Sequence, residues 1–208
     1  MSDLTLYVDS QFASPWAMSV FVALKEKALP FKLVAVDLDK GEQRDMPSLT
    51  HRVPTLVHGH FSLTESTAIT EYLETVFPEP ALYPKVTEAR ARARQIQSWI
   101  SSDLLVLRQE RSTIVVFYEP NSTPLSTEAQ VAAQKLFDVA ESLLAHGGEH
   151  VFSDWTLVDL DLTIMLNRLL LNGDAVPPRL SEYARRQWLR PSVQEWVKQL
   201  RPALSEAP

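Results

Sequence analysis

Leu4-Thr5-Leu6-Tyr7-Val8 alternates in the manner of a short strand and runs into the polar loop Asp9-Ser10-Gln11. Ser14-Pro15 then predicts a helix start, because serine is a strong N-cap and proline is favoured at the first helical position. Ala17, Val20, Phe21, Leu24 and Ala28 form one apolar stripe that ends before Pro30. Residues 31–36 read as a second strand, and a strand-helix-strand return implies parallel pairing. After a polar stretch over 37–46, Pro54-Thr55-Leu56-Val57 and Phe61-Ser62-Leu63 flank His58-Gly59-His60, a hairpin with glycine in its turn. Residues 65–77 carry Ile69, Tyr72, Leu73 and Val76 at helical spacing and stop at Pro78. Pro78, Pro80 and Pro84 form a stiff linker, since each fixes φ and disfavours helix before it. Beyond it the pattern predicts helices over 87–108, 127–145 and 156–171, with further pieces near 180–188 and 192–200. Gly147-Gly148 and Asn172-Gly173 serve as stops. The expectation is an α/β domain over residues 1–79 and an all-helical domain over 86–208.

Composition narrows what such a chain does. Its 208 residues are 45% hydrophobic and 22% charged, ordinary for a globular protein. Apolar runs such as Leu169-Leu170-Leu171 or residues 114–117 fall far short of the roughly 18 residues that cross a bilayer, so no membrane association is expected. The start, Met1-Ser2-Asp3-Leu4, lacks the basic and apolar segments of a secretory signal, which predicts a cytoplasmic address. The absence of cysteine excludes disulfides, thiolate nucleophiles and Cys-ligated metals supplied by the chain. Glycines at 41, 59, 147, 148 and 173 cannot form a dinucleotide or Walker loop. A net charge of −6 argues against nonspecific nucleic-acid binding. Arg90, Arg92 and Arg94 do not form one patch, because a helix turns each residue by about 100° and points Arg92 away from the other two. His58 and His60 lack a third nearby ligand, so they read as solvent-facing turn residues and no metal is expected.

Three segments together resemble the cytosolic glutathione S-transferases, in their serine-type bacterial and theta-like branch. Ser14-Pro15-Trp16 followed by a helix ending in Ala23-Leu24-Lys25-Glu26-Lys27 is similar to the S-P-x start and A-L-x-E-K ending of that branch. Arg52-Val53-Pro54-Thr55-Leu56 resembles the V-P-x-L entry to the family's third strand. Residues 63–73, Leu-Thr-Glu-Ser-Thr-Ala-Ile-Thr-Glu-Tyr-Leu, resemble its L-x-E-S-x-A-I-x-x-Y-L helix start, and Thr156-Leu157-Val158-Asp159 looks like the capping box of its core helix. Two features depart from the pattern: Ser19 stands where the family often has Lys or Arg five positions after the catalytic serine, and Met46 to Arg52 replaces the usual N-P-x-G-K approach.

The resemblance implies a thioredoxin-like first domain, a helical second domain and a homodimer. It implies glutathione as co-substrate, with no tightly bound cofactor. Ser14 would be the catalytic hydroxyl, stabilising the glutathione thiolate from a helix N-terminus where unpaired N–H groups and the helix dipole favour negative charge. Its other reading, a plain N-cap, is compatible, because capping uses the oxygen and thiolate stabilisation the hydrogen. Ser10 and Tyr7 are the alternatives. The resemblance further makes Pro54 cis and frees the backbone of Val53 to pair with the cysteinyl residue of glutathione. Glu65 and Ser66 would hold its γ-glutamyl ammonium and carboxylate. Arg52, with His51, would meet the glycyl carboxylate. Trp16, Phe117 and Tyr118 would line the electrophile site. The activity implied is thiolate attack on a small hydrophobic electrophile or an organic hydroperoxide; the alternative is a non-catalytic binding or regulatory protein of the same fold.

Overall fold

A computed structural model of the chain describes residues 3–204; Met1-Ser2 of the predicted cytoplasmic start and the last four positions of the 86–208 stretch lie outside the described residues. β1 (Leu4–Asp9) sends Leu4, Leu6 and Val8 into the core and leaves Thr5 and Tyr7 half-buried, the period of two that its alternation dictates. β2 (Lys32–Val36) pairs parallel to β1, with Leu6 opposite Leu33 and Asp9 opposite Val36. β3 (Thr55–His58) runs antiparallel to β1 and β4 (Phe61–Thr64) antiparallel to β3, giving the order β2-β1-β3-β4. Gly59 closes the hairpin at a φ of 60°.

Between β1 and β2, α1 (Pro15–Glu26) buries Ala17, Met18, Val20, Phe21 and Leu24. Its last turn explains the Lys27 of the A-L-x-E-K ending. The Lys27 side chain is fully buried, pairs with Glu74 at 2.8 Å and donates to the carbonyls of Phe77 and Pro80 at 2.6 and 2.8 Å. A buried cation is tolerable only with such complete pairing. It ties α1 to the end of α2 (Ser66–Val76). The Val53-Pro54 bond is cis, in line with the resemblance, and so is Glu79-Pro80.

The helical stretch contains α3 (Thr87–Ser102), α4 (Leu105–Glu110), α5 (Ile114–Phe117), α6 (Thr127–Leu143), α7 (Leu157–Leu170) and α8 (Pro178–Trp188). The single helix read over 87–108 is two, parted at Asp103-Leu104, where Leu104 has φ −90° and ψ 34°. Every residue of α7 from Leu157 to Leu169 is buried, the polar ones included. Two of those polar groups reach beyond α7: Asp161 accepts from Gln97 at 2.7 Å, and Arg168 donates to the carbonyl of Arg111 at 2.8 Å. Burial lowers the Arg168 pKa to about 10.

α9 (Pro191–Val197) belongs elsewhere. The chain forms two compact units, one containing the described residues up to Pro80 together with those from Pro191 onward, the other Ala81–Arg190. The stretch read as one domain from residue 86 therefore gives up its C-terminal end to the first unit. Trp196 is fully buried there, its ring 5.3 Å from that of Phe21 on α1 and 5.5 Å from that of Phe12.

Candidate functional site

The sheet register gathers the predicted residues of the first unit. Tyr7 opposes Thr55 and Thr55 opposes Thr64, so the C-terminal ends of β1 and β4 share one edge with the N-terminal end of β3. The loop after β1 carries Ser10 and Ser14, the segment before β3 carries Arg52, Val53 and Pro54, and the turn after β4 carries Glu65 and Ser66. All leave the sheet at that edge.

Ser14 is the N-cap of α1, and its Oγ accepts from the Ala17 N–H at 3.2 Å. The hydroxyl hydrogen is not consumed by capping. Trp16 follows on the first turn, half-buried. Ahead of Ser14 stands a residue that the sequence reading placed merely in a loop: Asp9, 5% exposed, whose carboxylate accepts from the N–H of Ala13 at 2.7 Å and of Ser14 at 3.2 Å. An aspartate five residues before a serine cap is a local signal for such a turn, since Asp side chains readily take nearby backbone N–H groups. Ser10 is half-buried and donates its N–H to Val36, while Tyr7 lies within β1, paired on both sides.

Val53 is half-buried two residues beyond the last β1–β3 pair and enters none of the turn and loop hydrogen bonds among the described residues. Its segment is braced instead through Thr55, whose hydroxyl donates to the Arg52 carbonyl at 2.7 Å and lies within hydrogen-bond distance of the Ser48 hydroxyl at 3.2 Å. The side chains of Arg52 and His51 are exposed. Glu65 caps α2 with φ 69° and ψ 116°, a left-handed backbone unusual for a side chain of its size, and makes no side-chain cap bond. Strained positions of this kind cluster at ligand sites. Glu65 is exposed and Ser66 half-buried.

Phe117 and Tyr118 belong to the second unit, half-buried at the end of α5, with the Phe117 ring 6.2 Å from Trp188. His60 is exposed as expected of a turn residue, but His58 is half-buried and its Nδ1 lies 2.8 Å from the Tyr72 hydroxyl. Among the described residues there is no group of three or more metal-capable side chains.

Comparison with known proteins fits this geometry. Residues 12–81 match the family described as glutathione S-transferase, N-terminal domain, and residues 86–201 the corresponding C-terminal domain. Glutathione S-transferase 1 of Dianthus caryophyllus is 32% identical over 156 residues, 73% of this chain and 70% of that one. Glutathione S-transferase theta-1 of Homo sapiens is 36% identical over 82% of this chain and 66% of its own length, while the match to theta-2 of Rattus norvegicus spans 43% of that protein. A glutathione transferase homologue from Burkholderia, solved with bound glutathione, superposes with a TM-score of 0.77 at 45% identity, over 94% of this chain and 96% of that one. With a thioredoxin-like sheet unit, a helical unit and both domain families matched along the sequence, this chain belongs to the glutathione S-transferase family.

Proposed function

We propose that the chain is a glutathione transferase that activates the glutathione thiol at Ser14. The observation that carries this reading is the convergence, at one sheet edge, of a hydroxyl-capped helix start, an unladdered strand entry and a second helix start lacking a side-chain cap. A 45% identical relative with bound glutathione supports it. A thiol with a reference pKa near 8.5 is mostly protonated at neutral pH, and each unit of lowering requires about 1.4 kcal/mol. The Ser14 hydroxyl and the N-terminal end of α1 together supply about one to two units. Val53 pairs through its backbone with the cysteinyl residue, Pro54 holding the entry. Ser66 and the first N–H groups of α2 take the γ-glutamyl carboxylate, Glu65 its ammonium, and Arg52 the glycyl carboxylate.

The bound thiolate attacks an electrophilic carbon; the C–S bond forms as the leaving group departs with the bonding pair. On a hydroperoxide the same sulfur takes the distal oxygen, releasing an alcohol once protonated, and a second glutathione reduces the resulting sulfenic acid to glutathione disulfide and water. The chain has no cysteine with which to trap a mixed disulfide. Trp16, on the first turn of α1, serves the apolar substrate. Glutathione is the co-substrate, no resident cofactor takes part, and the protein acts as a cytoplasmic homodimer.

The test is retention on immobilised glutathione together with turnover of an aryl halide and an organic hydroperoxide. Retention and turnover of at least one substrate are expected, with Glu65→Ala washing off early. Retention without turnover would replace the enzyme by a binding module, and equal retention of Glu65→Ala would remove that residue from the site.

A further inference from the structure

The loop between β1 and Ser14 is held by a residue from the far end of the sequence. Arg201 lies four residues past α9, half-buried, and its guanidinium donates to four backbone carbonyls. Three are close in sequence: Nη1 reaches Val197 at 2.7 Å and Gln199 at 3.1 Å, and Nη2 reaches Trp196 at 3.1 Å. The fourth, from Nη2 at 3.2 Å, is the carbonyl of Phe12. Phe12 has a φ of 48°, a left-handed conformation that a phenylalanine does not adopt without being held there. Its ring packs edge-on against the fully buried Trp196.

The peptide unit between Phe12 and Ala13 is gripped at both ends. Its carbonyl faces the Arg201 guanidinium, and its N–H faces the Asp9 carboxylate at 2.7 Å. A flip of this peptide would turn the carbonyl toward an anion and the N–H toward a cation, so opposite charges on opposite sides select one orientation. That orientation sets ψ of Phe12 and φ of Ala13, and thereby where the chain delivers Ser14. The same Asp9 carboxylate holds the Ser14 N–H. We infer that Arg201 is a positioning residue for thiol activation, acting through the Phe12–Ala13 peptide on the direction of the Ser14 hydroxyl; this rests on Ser14 being the thiolate donor. A displaced hydroxyl loses its short, charge-assisted bond to sulfur while glutathione remains anchored elsewhere.

The experiment is a pH titration of the thiolate absorbance of bound glutathione in the wild type, Arg201→Met, Arg201→Lys, Ser14→Ala and the double variant Ser14→Ala/Arg201→Met. Arg201→Met is expected to raise the bound thiol pKa by about half to one unit, with kcat falling about three- to tenfold and KM for glutathione within about twofold. Arg201→Lys, which keeps the cation, restores most of the shift. On the Ser14→Ala background Arg201→Met adds nothing, because the group it aims is gone. A wild-type pKa in Arg201→Met, or a shift that adds to that of Ser14→Ala, overturns the inference while leaving Ser14 as donor. If Ser14→Ala titrates as wild type, Ser14 is not the donor and the inference falls with that reading, whatever Arg201→Met does. Should Arg201→Met fail to fold, Arg201→Gln, neutral and still polar, is read against the same expectations.

Discussion

Two helices of this chain start with a hydroxyl and a carboxylate in close sequence, Glu65-Ser66 at α2 and Thr156 with Asp159 at α7, and they use them in opposite ways. At α7 everything is spent internally. The Asp159 carboxylate, wholly buried, accepts from the N–H of Val151 at 2.7 Å and of Thr156 at 2.8 Å, from the Thr156 hydroxyl and from the Tyr183 hydroxyl at 2.8 Å. Burial, the largest influence, raises its pKa despite these bonds, and pushes that of Tyr183 up further. At α2 the carboxylate is exposed, caps nothing, and sits on a strained backbone. A helix start that satisfies its own donors contributes stability; one that leaves them to an outside anion contributes binding.

The comparison breaks first at α7. Asp159→Ala strands at least three buried donors and is expected to cost about 3 to 5 kcal/mol in urea unfolding, leaving glutathione affinity unchanged while the protein is folded. A loss below about 1 kcal/mol would mean that water replaces the carboxylate and that the α7 start is not the structural one.

Glu65→Gly sharpens the other side. Glycine accepts a φ of 69° without strain, so stability is expected to rise by about 0.5 to 1 kcal/mol while glutathione affinity, measured calorimetrically, falls about tenfold or more. A variant that binds normally, or that loses stability, would show Glu65 to be a structural cap after all.

The smallest effect concerns pH. Beyond the C-terminal end of α7, Asp174 accepts from Arg111 at 2.6 and 2.9 Å, and those hydrogen bonds, with the guanidinium charge, hold its pKa below the ordinary 3.8. The unfolded chain therefore takes up this proton first as pH falls, so the contribution is complete above 3.8 and is lost as pH drops through the lower folded value. The stability gap between wild type and Asp174→Asn should be widest near neutral pH and narrow in acid below 3.8. A gap that does not change with pH would assign the loss to packing alone.

What the sequence disclosed was local. The strand alternation of residues 4–8, the Ser14-Pro15 start, the Gly59 hairpin and the Thr156/Asp159 box each rest on neighbours within a few positions, and each stands in the structure. What it hid depends on distant partners. The break at Asp103-Leu104 has no proline or glycine to announce it, and the Arg108 side chain there reaches back to the Ile100 carbonyl. The docking of α9 on α1, the buried pairing of Lys27 with Glu74 and the reach of Arg201 to Phe12 join residues dozens to nearly two hundred positions apart, which no periodicity encodes. For the site, the residue types were legible from resemblance, and their gathering at one sheet edge follows from a register that only pairing reveals.

The most direct test of the account is the thiol pKa of bound glutathione, read from thiolate absorbance across pH in the wild type and in Ser14→Ala. The account predicts a wild-type value about one to two units below that of free glutathione, returning most of the way in Ser14→Ala, while the lost cap costs about 1 kcal/mol of stability. A wild-type value equal to that of the free thiol would contradict it.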